Sequence, residues 1–156
     1  MRPYLQAWFG RLDEAIKKAR GLSSGNEELE GLLASHLAVL ISGAYEDCIE
    51  QLIVERASKG GDEWTRNYAQ STIDILFRNP NSANIQRALK LFGEPCAAKF
   101  KRRIGLSASE AINSIVTNKN HVAHGRTSNV TLRDIEDYFK RSMPIFEILE
   151  DILDSP

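Results

Sequence analysis

The sequence predicts an all-α helical bundle of four to six helices with a kinked C-terminal helix. Three observations predict it. Apolar residues recur at helical spacing through almost all of the 156 residues. Capping residues and Gly or Pro breaks separate the segments they form. No run of alternating polar and apolar residues lasts long enough to build a sheet. The length suits one domain, residues 1–156, in which residues 1–25 make an N-terminal helix and its connecting turn.

The first stripe is Leu5, Trp8, Leu12 and Ile16. Gly21 to Gly25 breaks it, and Asn26 is suited to N-cap a long second helix. That helix carries Leu29, Leu33, Leu37, Leu40, Ala44, Cys48 and Leu52, reaches Ala57 and stops at Gly60-Gly61. Trp64, Tyr68, Ile75 and Leu76 suggest a short third helix or a partly extended segment. Asn79-Pro80-Asn81-Ser82 reads as a turn and an N-cap. Ile85, Ala88, Leu89 and Phe92 then make a short amphipathic helix that ends near Gly93 and Pro95. Ser107 and Glu110 have capping-box spacing and open a helix with Ile112, Ile115 and Val116 on one face. Thr131 and Asp134 make a second box, before a last helix lined by Ile135, Tyr138, Phe139, Phe146, Leu149 and Leu153. Pro144 lacks an N–H donor and crowds the preceding turn, so it should kink that helix.

Composition is that of an ordinary globular protein, 42% hydrophobic and 26% charged. A net charge of -1 excludes a global basic field, so contact with nucleic acid needs a local patch. Lys99, Lys101, Arg102 and Arg103 lie within five residues and form such a patch, or else a solvated surface. Glu136, Asp137, Glu147, Glu150, Asp151 and Asp154 are assigned to an acidic outer face of the last helix. Cys48 and Cys96 lack CxxC spacing and read as buried free thiols of a reducing compartment. Met1-Arg2-Pro3-Tyr4 is not followed by a signal-type apolar segment, and His36, Ser42 and Glu46 break the longest apolar stretches. A cytoplasmic protein with no membrane span is expected.

The chemistry concentrates in Thr117-Asn118-Lys119-Asn120-His121-Val122-Ala123-His124-Gly125-Arg126, which holds two of the three histidines. Imidazole beside fixed cations is what moving protons around a phosphodiester requires. It is also what an ordinary helix C-terminus looks like, because cations favour the negative end of the dipole. His124 before Gly125 suits a helix end, where glycine permits a left-handed turn. Asn120 and His124 are four apart and share a helix face, whereas Lys119 lies about 140° around from His124. His121 and His124 have ligand-like spacing, but a stable zinc site takes three or four protein ligands, so neither a metal nor any other cofactor is expected.

Lys119-Asn120-His121-Val122-Ala123-His124-Gly125 resembles the signature of the HEPN superfamily of helical bundles. That signature is an arginine, a polar residue, a few variable positions, then a histidine often set in Ala-His-Gly. The long helix around Ser42 to Glu50 is similar to the early helix of the RiboL-PSP-HEPN or MAE-like subgroup, and the likeness extends from about Leu29 onward. The resemblance implies a homodimer whose two motifs face each other across a cleft. It further implies metal-independent endoribonuclease activity, commonly in toxin–antitoxin or phage-defence settings, or else a non-catalytic RNA-binding or scaffold role.

On this basis His124 is assigned as general acid or base, Lys119 as phosphoryl stabiliser and Asn120 as orienter. Lys99, Lys101, Arg102, Arg103 and Arg126 are assigned to RNA. The signature's arginine is Lys119 here, which keeps the charge but loses the planar fork. Arg126, Arg102 and Arg103 are the alternative sources of a guanidinium. Two readings therefore stand. One is a HEPN ribonuclease acting on RNA, with an antitoxin or other protein partner. The other is a catalytically degraded HEPN domain that binds RNA or a protein.

Overall fold

The computed structural model describes residues 1–126 and 128–154. Among them the helices are α1 (Pro3–Leu22), α2 (Glu27–Ala57), α3 (Glu63–Leu76), α4 (Ser82–Leu89), α5 (Glu94–Arg103), α6 (Leu106–Ala123), α7 (Leu132–Ser142) and α8 (Pro144–Asp154). A 3-10 turn, Lys90–Phe92, links α4 to α5. The all-α bundle is as predicted, with more helices than expected because α5 forms where only a charge patch was read. Helices α7 and α8 are two arms of one helix bent by 24° at Met143, directly before the proline that removes the donor.

The predicted boundaries hold where capping is local. The Asn26 side chain accepts from the Leu29 N–H at 3.0 Å, and Asn81 accepts from the Asn84 N–H at 2.8 Å. Thr131 and Asp134 make both bonds of the capping box. The Ser107–Glu110 box does not form. Helix α6 starts at Leu106 with Gly105 as its cap, so Ser107 is already inside the helix. Its hydroxyl accepts from Arg141 Nε at 2.9 Å, and Glu110 pairs with the same guanidinium at 3.4 Å. A cation from α7 takes the groups that would have capped α6.

Helix α2, 31 residues and about 46 Å long, is the axis of the bundle. Helices α1, α3, α6, α7 and α8 all pack on it. At its middle lies a quartet of rings, Phe9, Tyr45, Phe139 and Phe146, with centroids 4.8 to 6.5 Å apart in edge-on and stacked pairs. The buried Tyr45 hydroxyl is bonded to Ser142 Oγ at 2.8 Å, and Ser142 in turn donates to the Phe139 carbonyl at 3.0 Å. Phe9, absent from the predicted stripe, is buried there, while Trp8 is only half-buried.

Three placements differ from expectation. Glu150 is buried rather than on the outer face: it accepts from the Arg2 backbone N–H at 2.6 Å and ties α8 to the start of α1. Cys48 is buried, and burial pushes its thiol up to about 12, but Cys96 is only half-buried. Helix α3 rests on α2 through Ile73, and its apolar stripe points away. Trp64, Tyr68 and Ile75 are 83%, 75% and 75% exposed. They fall within about 40° of one another on a helix of 3.6 residues per turn. No described helix is long and apolar enough to cross a membrane.

Candidate functional site

Helix α6 lies between α2 and α7, and its C-terminal turn carries the histidine segment. The helix ends in a backbone-closed Schellman turn. Gly125, at φ 65°, donates its N–H to the Val122 carbonyl at 3.0 Å, and the Arg126 N–H donates to the His121 carbonyl at 2.8 Å. The His124 N–H completes the ladder to Asn120 O at 3.1 Å. Gly125 adopts the left-handed conformation predicted for it, and the space a Cβ would fill is open.

This closure bears on the histidines. The last carbonyls of α6 are taken by backbone donors, so no imidazole is needed to satisfy them. His124 is exposed, and its ring has no hydrogen-bond or ion-pair partner among the described residues. His121 is half-buried and likewise unpartnered there. The Asn120 side-chain amide also has no bond among the described residues; it stands one turn before His124 on the same side of the helix.

Lys119 is held. Its ammonium donates to Asn79 Oδ1 at 2.7 Å, reaching the α3–α4 loop 40 residues away in sequence. The acceptor is a neutral amide, so the charge is retained and two of the three N–H donors stay free of that bond. Asn118 braces the other side: it donates to the Ser114 carbonyl at 2.8 Å and accepts from Ser128 Oγ at 2.7 Å. Asn79 and Ser128 were not among the predicted site residues. The only local signal for Asn79 is its tolerance of the left-handed conformation in a turn.

The cations divide. Arg126 is exposed beside His124. Lys101, Arg102 and Arg103 end α5, next to the start of α6, while His124 caps its far end; 18 residues of helix, about 27 Å, separate them. Arg103 pairs with Asp151 at 2.8 Å, and Lys101 lines a cleft between α4, α5 and α6. Within one copy this patch and His124 therefore lie at opposite ends of α6. Among the described residues no three His, Cys, Asp or Glu side chains gather as metal ligands.

Carboxylates flank the Lys119 anchor on the α2 side. Glu46 accepts from the Asn79 backbone N–H at 3.1 Å. Burial, with Glu46, Asp74 and Asp47 adding repulsion and Arg78 opposing them, pushes the Glu50 carboxyl from 4.5 up to about 7. A carboxyl raised in the folded chain binds its proton more tightly there than when unfolded. Stability should therefore fall as pH rises from about 4.5 to about 7. Glu50→Gln is expected to raise the melting temperature at pH 8 by about 2 °C and to change it less at pH 5, since solvent screening holds the effect below about 1 kcal/mol. Thermal melts at the two pH values check this; equal shifts would remove Glu50 as the cause.

A family model described as RiboL-PSP-HEPN matches residues 9–155 of the chain. No curated protein and no solved structure matches it.

Proposed function

The chain belongs to the RiboL-PSP-HEPN family, and from that premise we propose that it is a metal-independent endoribonuclease whose site is assembled around His124 by two copies. The observation that carries this reading is the exposed, unpartnered His124 at a helix end already closed by backbone bonds, one turn and a residue beyond a charged, anchored Lys119. The backbone of His124 caps α6, but its ring makes no bond within the described residues, which supports a role toward a ligand.

In the proposed reaction an RNA 2′-hydroxyl attacks the adjacent phosphorus and the 5′-oxygen leaves. His124 of one copy takes or gives a proton, and the symmetry-related His124 does the converse. Lys119 meets the charge that builds on the non-bridging phosphoryl oxygens. Asn120 orients the imidazole and Arg126 contacts the neighbouring phosphate. The setting proposed is a toxin–antitoxin or phage-defence system in the cytoplasm, with an antitoxin or other protein as regulator. Purified protein should cut labelled RNA in the presence of EDTA, and His124→Ala should not.

The two-copy arrangement draws support from α3. A stripe of Trp64, Tyr68 and Ile75 left in water is the kind of surface that a monomer seldom keeps. Helix α3 ends at Leu76, and the chain continues through Phe77 and Arg78 to Asn79, the anchor of Lys119. The occupant proposed for this stripe is a second copy, since closed two-fold symmetry is the commonest assembly. Light scattering at tens of micromolar should give a dimer, and Trp64→Glu with Tyr68→Glu should shift it toward monomer. A monomeric wild type would remove the two-copy site.

A second reading has one observation in its favour. The Lys119–Asn79 bond gives the lysine a role in holding the fold, as a degraded RNA-binding or protein-binding module would also keep. Such a protein would bind RNA or a partner and leave RNA intact.

A further inference from the structure

We propose that Asn79 is the positioning residue of this site: its side chain holds the Lys119 ammonium in place for a phosphate without neutralising it. The inference rests on the ribonuclease reading above and extends it to a residue outside the histidine segment.

Asn79 is the only non-glycine with positive φ among the described residues, at 57°. Pro80 follows it and narrows its backbone choices further. A left-handed conformation at a residue with a side chain is unfavourable and persists only where the surroundings fix it; such positions gather at functional sites. Here both backbone polar groups and the side-chain oxygen of Asn79 are engaged. Its N–H donates to Glu46 Oε2 at 3.1 Å. Its carbonyl accepts from Asn84 Nδ2 at 2.9 Å and from the Asn81 N–H at 2.7 Å. Its side-chain oxygen accepts from Lys119 Nζ at 2.7 Å. Three of these bonds fix the backbone, and the fourth fixes the lysine.

The chemistry of the acceptor matters. Lysine is a point charge on a flexible stem, and ordering it when substrate arrives costs binding energy. An amide oxygen takes one of the three ammonium hydrogens and leaves the full positive charge, so the head is oriented and still attracts a phosphate. A carboxylate in the same place would orient it equally well and cancel the charge. The nearby carboxylate, Glu46, is engaged by the backbone of Asn79 instead. The lysine thus meets a neutral group of the loop, while the carboxylate of α2 accepts from the loop backbone.

The test uses the 156-residue chain and four variants: Asn79→Gly, Asn79→Asp, Lys119→Arg, and Asn79→Gly combined with Lys119→Arg. Glycine keeps the left-handed conformation and loses the acceptor; aspartate also tolerates that conformation and keeps the acceptor. Each is measured for single-turnover cleavage of a short RNA, for binding of the same strand carrying 2′-O-methyl groups, for melting temperature, and for the Lys119 side-chain nitrogen resonance, assigned by its loss in Lys119→Arg.

In wild type the Lys119 resonance should be distinct from those of solvated lysines, and in Asn79→Gly it should join them. Cleavage should fall roughly tenfold in Asn79→Gly. It should fall further in Asn79→Asp, whose melting temperature is unchanged or higher. In the Lys119→Arg background, where a planar fork needs less help, removing Asn79 should cost less than about threefold. An Asn79→Asp protein as active as wild type, or a Lys119 resonance unmoved in Asn79→Gly, would overturn the proposal. If wild type cleaves and both Asn79 variants match it, positioning alone fails. If wild type neither cleaves RNA nor binds the 2′-O-methyl strand, the ribonuclease reading fails first and the proposal falls with it.

Discussion

His124→Ala is expected to reduce single-turnover RNA cleavage by about 10²–10⁴-fold, the range that a positioned general acid or base contributes. His124 is the exposed imidazole of the segment, and its neighbours do not substitute for it. His121 is half-buried a turn earlier, and Lys119 is tied to Asn79. The variant should fold normally. The Schellman turn that ends α6 is made by backbone N–H groups of Gly125 and Arg126, and the His124 ring takes no part in it. Melting temperature and dimer mass should therefore match wild type while cleavage is lost. Cleavage as fast as wild type would put the chemistry elsewhere. Inertness of wild type and variant alike, with RNA or a partner still bound, would hand the protein to the binding-module reading.

Lys119→Arg is expected to raise cleavage on the order of ten- to a hundredfold. Arginine keeps the charge and adds a second aligned donor to the phosphoryl oxygens. One additional charge-assisted hydrogen bond in the transition state corresponds to roughly 1.5–3 kcal/mol. The position tolerates the change, because Asn79 can accept from one arm of the fork and leave the other arm to substrate. Single-turnover rates of wild type, Lys119→Arg and Arg126→Ala separate the cations. If Arg126→Ala alone is dead and Lys119→Arg is neutral, the exposed guanidinium beside His124 stabilises the phosphate and Lys119 is a structural anchor.

The sequence by itself determined what is decided within a turn or two of chain. Asn26 and Thr131–Asp134 cap helices because their partners lie three residues away. Pro144 bends the last helix by removing its own N–H, and Gly125 closes α6 because glycine enters the left-handed region freely. The family followed from residues contiguous in the chain, Lys119 to Gly125. The tertiary structure alone decided what depends on partners far away. Lys119 meets Asn79 across 40 residues, a partner that nothing near it in the chain indicates. Ser107 loses its capping role to Arg141, 34 residues on. Glu150 leaves the outer face for the Arg2 backbone, 148 residues away. The basic run on α5 and the histidine segment, close in sequence, end at opposite poles of α6 because a helix of 18 residues is rigid and about 27 Å long. Trp64, Tyr68 and Ile75 have the spacing of a core stripe, and periodicity identifies a face but not the partner that covers it. Local bonds are legible because the chain itself brings their members together; contacts between helices depend on how the helices pack, and that is set by the whole core at once.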